Sequence, residues 1–404
     1  MKELIKEAQA LQKTLLRHRR TLHACAETGF DLKRTTNYIR AQIEAIGCEA
    51  KDCGRAGLVV TLGGAEKRSE ADAALKKGAF LLRADMDALP IAERSDEPFA
   101  CDNGCMHACG HDMHAAMLLG AALLLKRRER DLPCAVKLAF QPAEERLEGA
   151  KDMIKSGLLR SPKVIGAVML HVTTGVELPT GTLVVHKGGV SAPAADYFQI
   201  TIKGKGCHGS TPHEGIDALN VAAHVLLALQ QIPSKELSLS QPAVVTVGRL
   251  TGGETGNAIA DSAVLEGTVR AYDEPTREKI KKRIAEIVKR ISAAFNASAK
   301  TEFPTGCPTF INNPELSARL VAGLKETFGQ DRVLQTNAVG GGSEDFAYVS
   351  HETPTTLIAL SAGEKTKGYV YPLHHPKARF DEDALWVGCA AYASAVFSQA
   401  IKND

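Results

Sequence analysis

Strand and helix periods alternate through the first 190 residues of this 404-residue chain, and that alternation constrains the fold more than any other feature. "TTNYIRAQIEAIG" reads as a helix closed by Gly47, while "GLVVTLGG" and "GAFLLRADMDALP" read as strands. The apolar part of the second strand is nearly continuous, as expected where both faces are covered. A helix from 114 to about 128, the strand "CAVKLAFQP", a helix near 148 to 157 and the strand "VIGAVMLHV" follow. This spacing predicts an α/β fold whose mostly parallel sheet carries helices on its faces.

Near residue 190 the pattern changes. "APAADYFQITIKGKG" reads as a strand and "IDALNVAAHVLLALQQI" as a helix, followed by the strands "AVVTVGRLTGG" and "SAVLEGTVRA". "PTREKIKKRIAEIVKRISAAF" then starts a helix with proline in its first turn, and "SAKTEFPTG" closes the set as a strand. The order βαββαβ is that of a ferredoxin-like domain. A chain of 404 residues exceeds what one core usually holds, so two domains are expected. The economical division is a catalytic domain of 1–190 plus 307–404, interrupted by an inserted lid or dimerisation domain of 191–306. "EDALWVGCAAYASAVFSQAIK" reads as a closing amphipathic helix, and the stretch from 65 to 78 as a polar loop or short helix.

A net charge of +2 gives no electrostatic reason to expect nucleic acid or an anionic membrane surface as a partner. Lys126, Arg127 and Arg128 form the one basic cluster and read as a solvated helix end. The apolar run from Ala115 to Leu125 falls well short of the ~20 residues that span a bilayer. "MKELIKEAQALQKTLLRHRR" is a charged amphipathic helix without the apolar run of a signal peptide. Ten irregularly spaced cysteines do not resemble a disulfide framework, so a reducing cytoplasm is the expected location.

The chemistry concentrates in "GCMHACGHDMHAAM", residues 104–117, which crowds two cysteines and three histidines at the mouth of a helix. A metal site, a redox pair and coincidence all remain open on that segment alone. Cys105 and Cys109 are not spaced as Cys-x-x-Cys, which weakens the redox reading. Cys109 and His111 are two residues apart, so on a helix they would diverge; both are expected on the preceding turn, where they can converge. Glu144 and Glu145 follow a strand in "FQPAEE", His171 ends the next strand, and His374 and His375 sit in a proline-bordered loop. Open α/β sheets present their sites at such strand ends. Adjacent carboxylates would repel unless one faces a cation and the other works as an acid or base.

The chain resembles the M20 metallopeptidases, and among them the amidohydrolases that include auxin-conjugate, N-acyl-amino-acid and p-aminobenzoyl-glutamate hydrolases. The likeness covers nearly the whole chain and rests on "LHACAETGF", "LRADMDALP", "MHACGHDMH", "FQPAEE", "GKGCHGSTPHEGIDALN", "GGETGNAIADSAVLEGTVR", "GGSEDFAYV" and "LHHPKARFDED". The resemblance implies that Cys109, His111, Glu145, His171 and His374 hold one or two divalent ions, zinc, manganese, nickel or cobalt. It makes Glu144 the catalytic base and Asp87 the residue that orients a ligand histidine. It further implies that His208 supports the reacting centre, often across a dimer interface, and that Asn257 and Arg270 hold a substrate carboxylate. Arginine suits that task because its planar fork binds carboxylates bidentately.

Three positions depart from the family pattern: Ala26 replaces a usual proline, "NAIA" replaces the commoner "NVIP", and His375 follows His374. The expected reaction is metal-dependent hydrolysis of an N-acyl amino acid or dipeptide by a homodimer whose two domains close on the substrate. A catalytically silent metal- or ligand-binding homologue would lack the base or the oxyanion donor, whereas Glu144 and His208 are both present. A structural zinc module would need closely spaced Cys and His ligands; these candidates are dispersed and include a carboxylate.

Overall fold

The run "AFLLRAD" forms the strand Ala79–Asp85, buried at every position, inside an eight-stranded sheet. The strand order is Ala50–Cys53, Gly57–Leu62, Ala135–Gln141, Ala79–Asp85, Val164–Thr173, Thr355–Ser361, Leu183–His186, Val333–Thr336. Its four central strands run parallel, and antiparallel pairings enter on both flanks. This computed structural model describes residues 2–63 and 78–398, so most of the polar stretch from 65 to 78 lies outside the described residues.

The chain folds into two compact units. The first comprises Met1–Ser191, Ile311–Ala338 and Tyr348–Asp404, and the second Ala192–Phe310 and Val339–Ala347.

In the first unit, the helices His111–Arg127 and Leu385–Phe397 pack together within the core. A Cβ on Gly388 would lie 1.9 Å from Met117 Sδ, and one on Gly120 would lie 2.8 Å from Cys389 Sγ. The two helices therefore approach closely only because both positions are glycine. Burying each large apolar side chain of His111–Arg127, such as Leu118 or Leu124, contributes roughly 1.5–3 kcal/mol. Leu385–Phe397 is buried on nearly all sides, which corrects the amphipathic reading: its small residues leave no polar face to solvate. The basic cluster is also less solvated than expected, since Arg128 forks onto Glu7 at 2.5 and 2.7 Å.

The parallel ladder decides where the site can be. Asp85 pairs with Gln141 and Arg83 with Met169, so the residues just beyond these strands emerge at one sheet edge. Asp87, Glu144, Glu145 and His171 all follow or end those strands.

The second unit has the order strand Ala194–Lys203, helix Ala218–Leu229, strands Ala243–Gly252 and Ser262–Ala271, helix Glu274–Ala294, strand Ser298–Glu302. The sheet order places the second strand at one edge and the fourth at the other, all antiparallel, which is the ferredoxin-like arrangement. Asp273 caps its helix by accepting from Thr276 N–H at 2.7 Å. Arg277 grips Asp196 through two bonds of 2.6 and 2.8 Å and so ties helix to sheet.

One buried group makes the first unit sensitive to acid. His18, on the helix Gln12–Ala24, packs against Tyr38, whose hydroxyl lies 2.8 Å from its Nδ1. Burial, assisted by Arg17, lowers its pKa from 6.5 to about 4. The unfolded chain therefore takes up a proton at higher pH than the folded chain does. The stability His18 contributes is present above pH 6.5 and lost as pH falls toward 4. Urea unfolding of wild type and His18→Gln should show their stability difference shifting by up to about 3 kcal/mol against wild type between pH 7 and 4. A constant difference across that window contradicts the assignment.

Candidate metal centre

The motif residues enter the first unit through a tight turn. Gly110 N–H bonds the His107 carbonyl at 3.1 Å, and the helix begins at His111. Gly110 takes φ +83°, and a Cβ there would meet Val172 Cγ2 at 2.3 Å. Cys109 lies on the turn as expected, whereas His111 is the first residue of the helix; the left-handed Gly110 between them lets both side chains converge.

Cys109, His111, Glu145, His171 and His374 are brought together. Cys109 Sγ lies 3.5 Å from His171 Nε2 and 3.2 Å from His374 Nε2. Glu145 Oε1 is 3.5 Å from His374 Nε2 and 3.9 Å from His111 Nε2. Glu144, largely buried, offers an oxygen within 4.8 Å of donor atoms on His111 and Glu145. His375 faces elsewhere, its ring stacked on Tyr371 with centroids 4.4 Å apart. His374 takes φ +64° and Ala143, just before the glutamates, φ +51°, two non-glycine residues in the left-handed region.

Two of the three histidines, His111 and His171, are oriented from behind. His111 Nδ1 lies 2.8 Å from the Asp87 carbonyl and donates to it, which turns Nε2 into the cluster. His171 Nδ1 likewise donates to the Val172 carbonyl at 2.7 Å. The Asp87 carboxylate stands 3.6 Å from His111 Nδ1, where it favours positive charge on that ring, and it also accepts the N–H groups of Glu144 at 3.0 Å and Glu145 at 3.3 Å.

The electrostatics suit a cation. Among the described residues, His111 Nε2 and Glu145 Oε1 are buried without a hydrogen-bond partner. Burial pushes the Glu145 carboxyl up to about 7, against the pull of His111 and with Asp87 and Asp85 adding to the rise. Burial also pushes the Cys109 thiol well up. Burial alone would lower the His111 pKa, yet Asp85 and the bond to Asp87 hold it well above its ordinary value. Burial thus disfavours negative charge on Glu145 and Cys109, a cost that a divalent ion held there would offset. One thiolate, one carboxylate and three imidazoles match the donor preference of zinc and neighbouring first-row ions.

Sequence reasoning missed the residues that back this cluster. Asp85, fully buried, bonds His114 Nδ1 at 2.5 Å and Arg83 Nη1 at 2.6 Å. Asp85, His111 and His114 lie within metal-ligating reach of one another, but Arg83 already supplies the cation that Asp85 needs. Asp112 is claimed by Arg19 at 3.1 Å and His23 at 2.9 Å, and His23 reaches Glu93 at 3.0 Å. Spacing carried a faint signal for His114, three residues after His111 on one helix face. Nothing local marked Arg19 or His23 as partners of Asp112, because they lie far away in the chain.

His208, Asn257 and Arg270 belong to the second unit. His208 pairs with Ala258, and the Asn257 carbonyl accepts from Gly209 N–H at 2.7 Å, which sets His208 and Asn257 side by side. A Cβ on Gly209 would strike that carbonyl at 2.7 Å. His208 Nδ1 accepts from Ser210 N–H at 3.1 Å, so in the neutral ring Nε2 carries the proton. The Asn257 Oδ1 accepts from Thr255 at 2.9 Å, leaving its amide N–H groups outward. Arg270 stands on the strand Ser262–Ala271 between Val244 and Ala195 and makes no ion pair among the described residues.

Known proteins resemble this chain in sequence and fold. Residues 81–398 match the family described as peptidase family M20/M25/M40. N-acetyl-L-cysteine deacetylase of Bacillus subtilis is 35% identical, over 93% of this chain and 85% of its own. The crystal structure of a putative aminohydrolase from methicillin-resistant Staphylococcus aureus is 32% identical, covers 100% of both chains and has a TM-score of 0.87. A dinuclear metal-binding peptidase of the M20 family from Bacillus subtilis is 30% identical, over 96% of this chain and 98% of its own, with a TM-score of 0.76. A match of this extent, together with a donor cluster at the carboxyl edge of the parallel sheet, makes the chain a member of peptidase family M20/M25/M40 and a hydrolase of amide bonds.

Proposed function

We propose that this enzyme hydrolyses the amide bond of N-acyl amino acids or small amino-acid conjugates, with Glu144 as general base. The observation that carries the reading is the convergence of Cys109, His111, Glu145, His171 and His374, with Glu144 beside them and with buried His111 Nε2 and Glu145 Oε1 lacking a hydrogen-bond partner among the described residues. These five residues would hold one or two divalent ions, and the likeness to the dinuclear metal-binding peptidase of Bacillus subtilis favours two. Bound there, zinc, manganese, nickel or cobalt supplies a Lewis acid that polarises a carbonyl and acidifies water.

Glu144 takes a proton from the attacking water and passes it to the leaving amine. Asp87 serves this step by fixing the Glu144 backbone and the His111 ring at once. His208 presents Nε2–H to the developing oxyanion, a contact whose loss costs on the order of 100- to 1,000-fold in rate. Asn257 and Arg270 hold the free carboxylate of the amino-acid product; among the described residues Arg270 makes no ion pair and donates only to the Val269 carbonyl at 3.1 Å. The deacetylase relative supports an N-acyl amino acid as substrate. Ten irregularly spaced cysteines suit a reducing cytoplasm.

We further propose that the enzyme is a homodimer assembled through the second unit. The strand Ala243–Gly252 lies at the sheet edge with Val244 52% exposed, and the helix Ala218–Leu229 exposes Leu227 by 68%. An apolar edge of this kind is normally covered.

Two outcomes test these readings. Glu144→Gln is expected to bind zinc or manganese as wild type does while hydrolysis of N-acetyl amino acids falls by at least about 100-fold. Wild-type turnover in the metal-loaded variant removes Glu144 from the mechanism. Sedimentation of Val244→Lys combined with Leu227→Glu should give a folded monomer at concentrations where wild type is a dimer, because charge on both elements opposes burial.

A further inference from the structure

We propose that His114 is a positioning residue for His171, acting through the backbone of Val172 and itself anchored by Asp85. The inference rests on the reading of His171 as a metal ligand. Its origin lies in the sheet. The strand Val164–Thr173 pairs with Ala79–Asp85 only as far as Met169, opposite Arg83. On its other side it stays paired with Thr355–Ser361 to its last residue, Thr173. Successive strand residues present their backbone groups to opposite sides. The Thr173 carbonyl bonds Ala362 N–H at 2.8 Å on the Thr355–Ser361 side, so Val172 N–H points to the side where the ladder has ended.

A buried amide there needs an acceptor, and His114 Nε2 supplies it at 2.8 Å. Because Nε2 accepts, the His114 proton sits on Nδ1, where it is donated to Asp85 Oδ1 at 2.5 Å. Asp85 is held in turn by Arg83 at 2.6 Å, and Arg83 by Gln141 at 2.8 Å. Both Asp85 and His114 are fully buried. Val172 passes the restraint onward, since its carbonyl accepts from His171 Nδ1 at 2.7 Å and thereby aims His171 Nε2 toward Cys109. The His114 and His171 rings also meet edge to face, centroids 4.7 Å apart. One imidazole therefore closes the gap left by the ladder and sets the ring of the next.

The chemistry separates this role from simple core packing. In a glutamine the side-chain carbonyl falls near the place of Nε2, and in an asparagine the amide falls near the place of Nδ1. His114→Gln keeps the acceptor for Val172, whereas His114→Asn keeps only the donor to Asp85. Zinc affinity is measured by competition with a chromophoric chelator, and the visible spectrum of the cobalt-loaded protein reports ligand geometry without reference to activity. His114→Asn is expected to lose about 10- to 100-fold in zinc affinity and to change the cobalt spectrum. His114→Gln is expected to retain both, with circular dichroism establishing that each variant is folded. A folded His114→Asn with wild-type affinity and spectrum overturns the proposal, as does a folded His114→Gln that loses them. Should His114→Asn fail to fold, the glutamine variant decides alone. His171→Ala tests the underlying reading separately: undiminished zinc affinity in that variant would remove His171 from the ligand set whatever His114 does.

Discussion

Asp87 is the residue on which the arrangement of the candidate centre turns. Its carbonyl accepts from His111 and its carboxylate accepts the amides of Glu144 and Glu145. Two segments 57 residues apart, and the start of a third, are thus joined by one side chain and one peptide group at the end of a buried strand. The parallel ladder makes this possible because it ends neighbouring strands at one level, where a two-residue extension can reach the adjoining loop. Were the strands antiparallel here, the same residues would emerge at opposite ends of the sheet.

The centre is costly to build without a cation. It removes a thiol, a carboxylate and imidazoles from water and leaves some of their atoms without partners. Burial disfavours negative charge on Glu145 and Cys109, and the carboxylates of Asp85 and Asp87 favour positive charge at His111. Rigid backing keeps these groups from relaxing toward one another. Arg83 neutralises Asp85, and His114 takes the remaining carboxylate oxygen and the spare amide of the neighbouring strand. The three histidines of "MHACGHDMH" thereby differ in kind. His111 faces the cluster, His114 braces it, and His107 is a buried ring whose pKa burial lowers to about 3.

Much of this was legible in the chain. The nearly continuous apolar run through Ala79–Asp85 announced a strand covered on both faces, and the βαββαβ order announced the second unit, because periods of 2 and 3.6 are local properties. The candidate ligands were legible for a different reason: residue type at strand ends raised a metal site among other readings, and the resemblance to the M20 metallopeptidases named the set. The division of labour within Asp87 was not legible, since its carbonyl and carboxylate act separately and sequence does not show which one faces His111. Nor was the burial of the last helix, whose alanines and glycine read as a weak apolar face until Met117 was placed against Gly388.

By itself the sequence determined which segments become strands and helices, because periodicity is a local property, and its motifs named candidate ligands through their resemblance to the M20 metallopeptidases. Only the tertiary structure decided that Cys109 and His374, 265 residues apart, stand 3.2 Å from each other, and that Asp85 and His114 brace them. Such proximity depends on strand order and on where each ladder ends. Those are set by the packing of the whole sheet and are encoded in no single stretch of the chain.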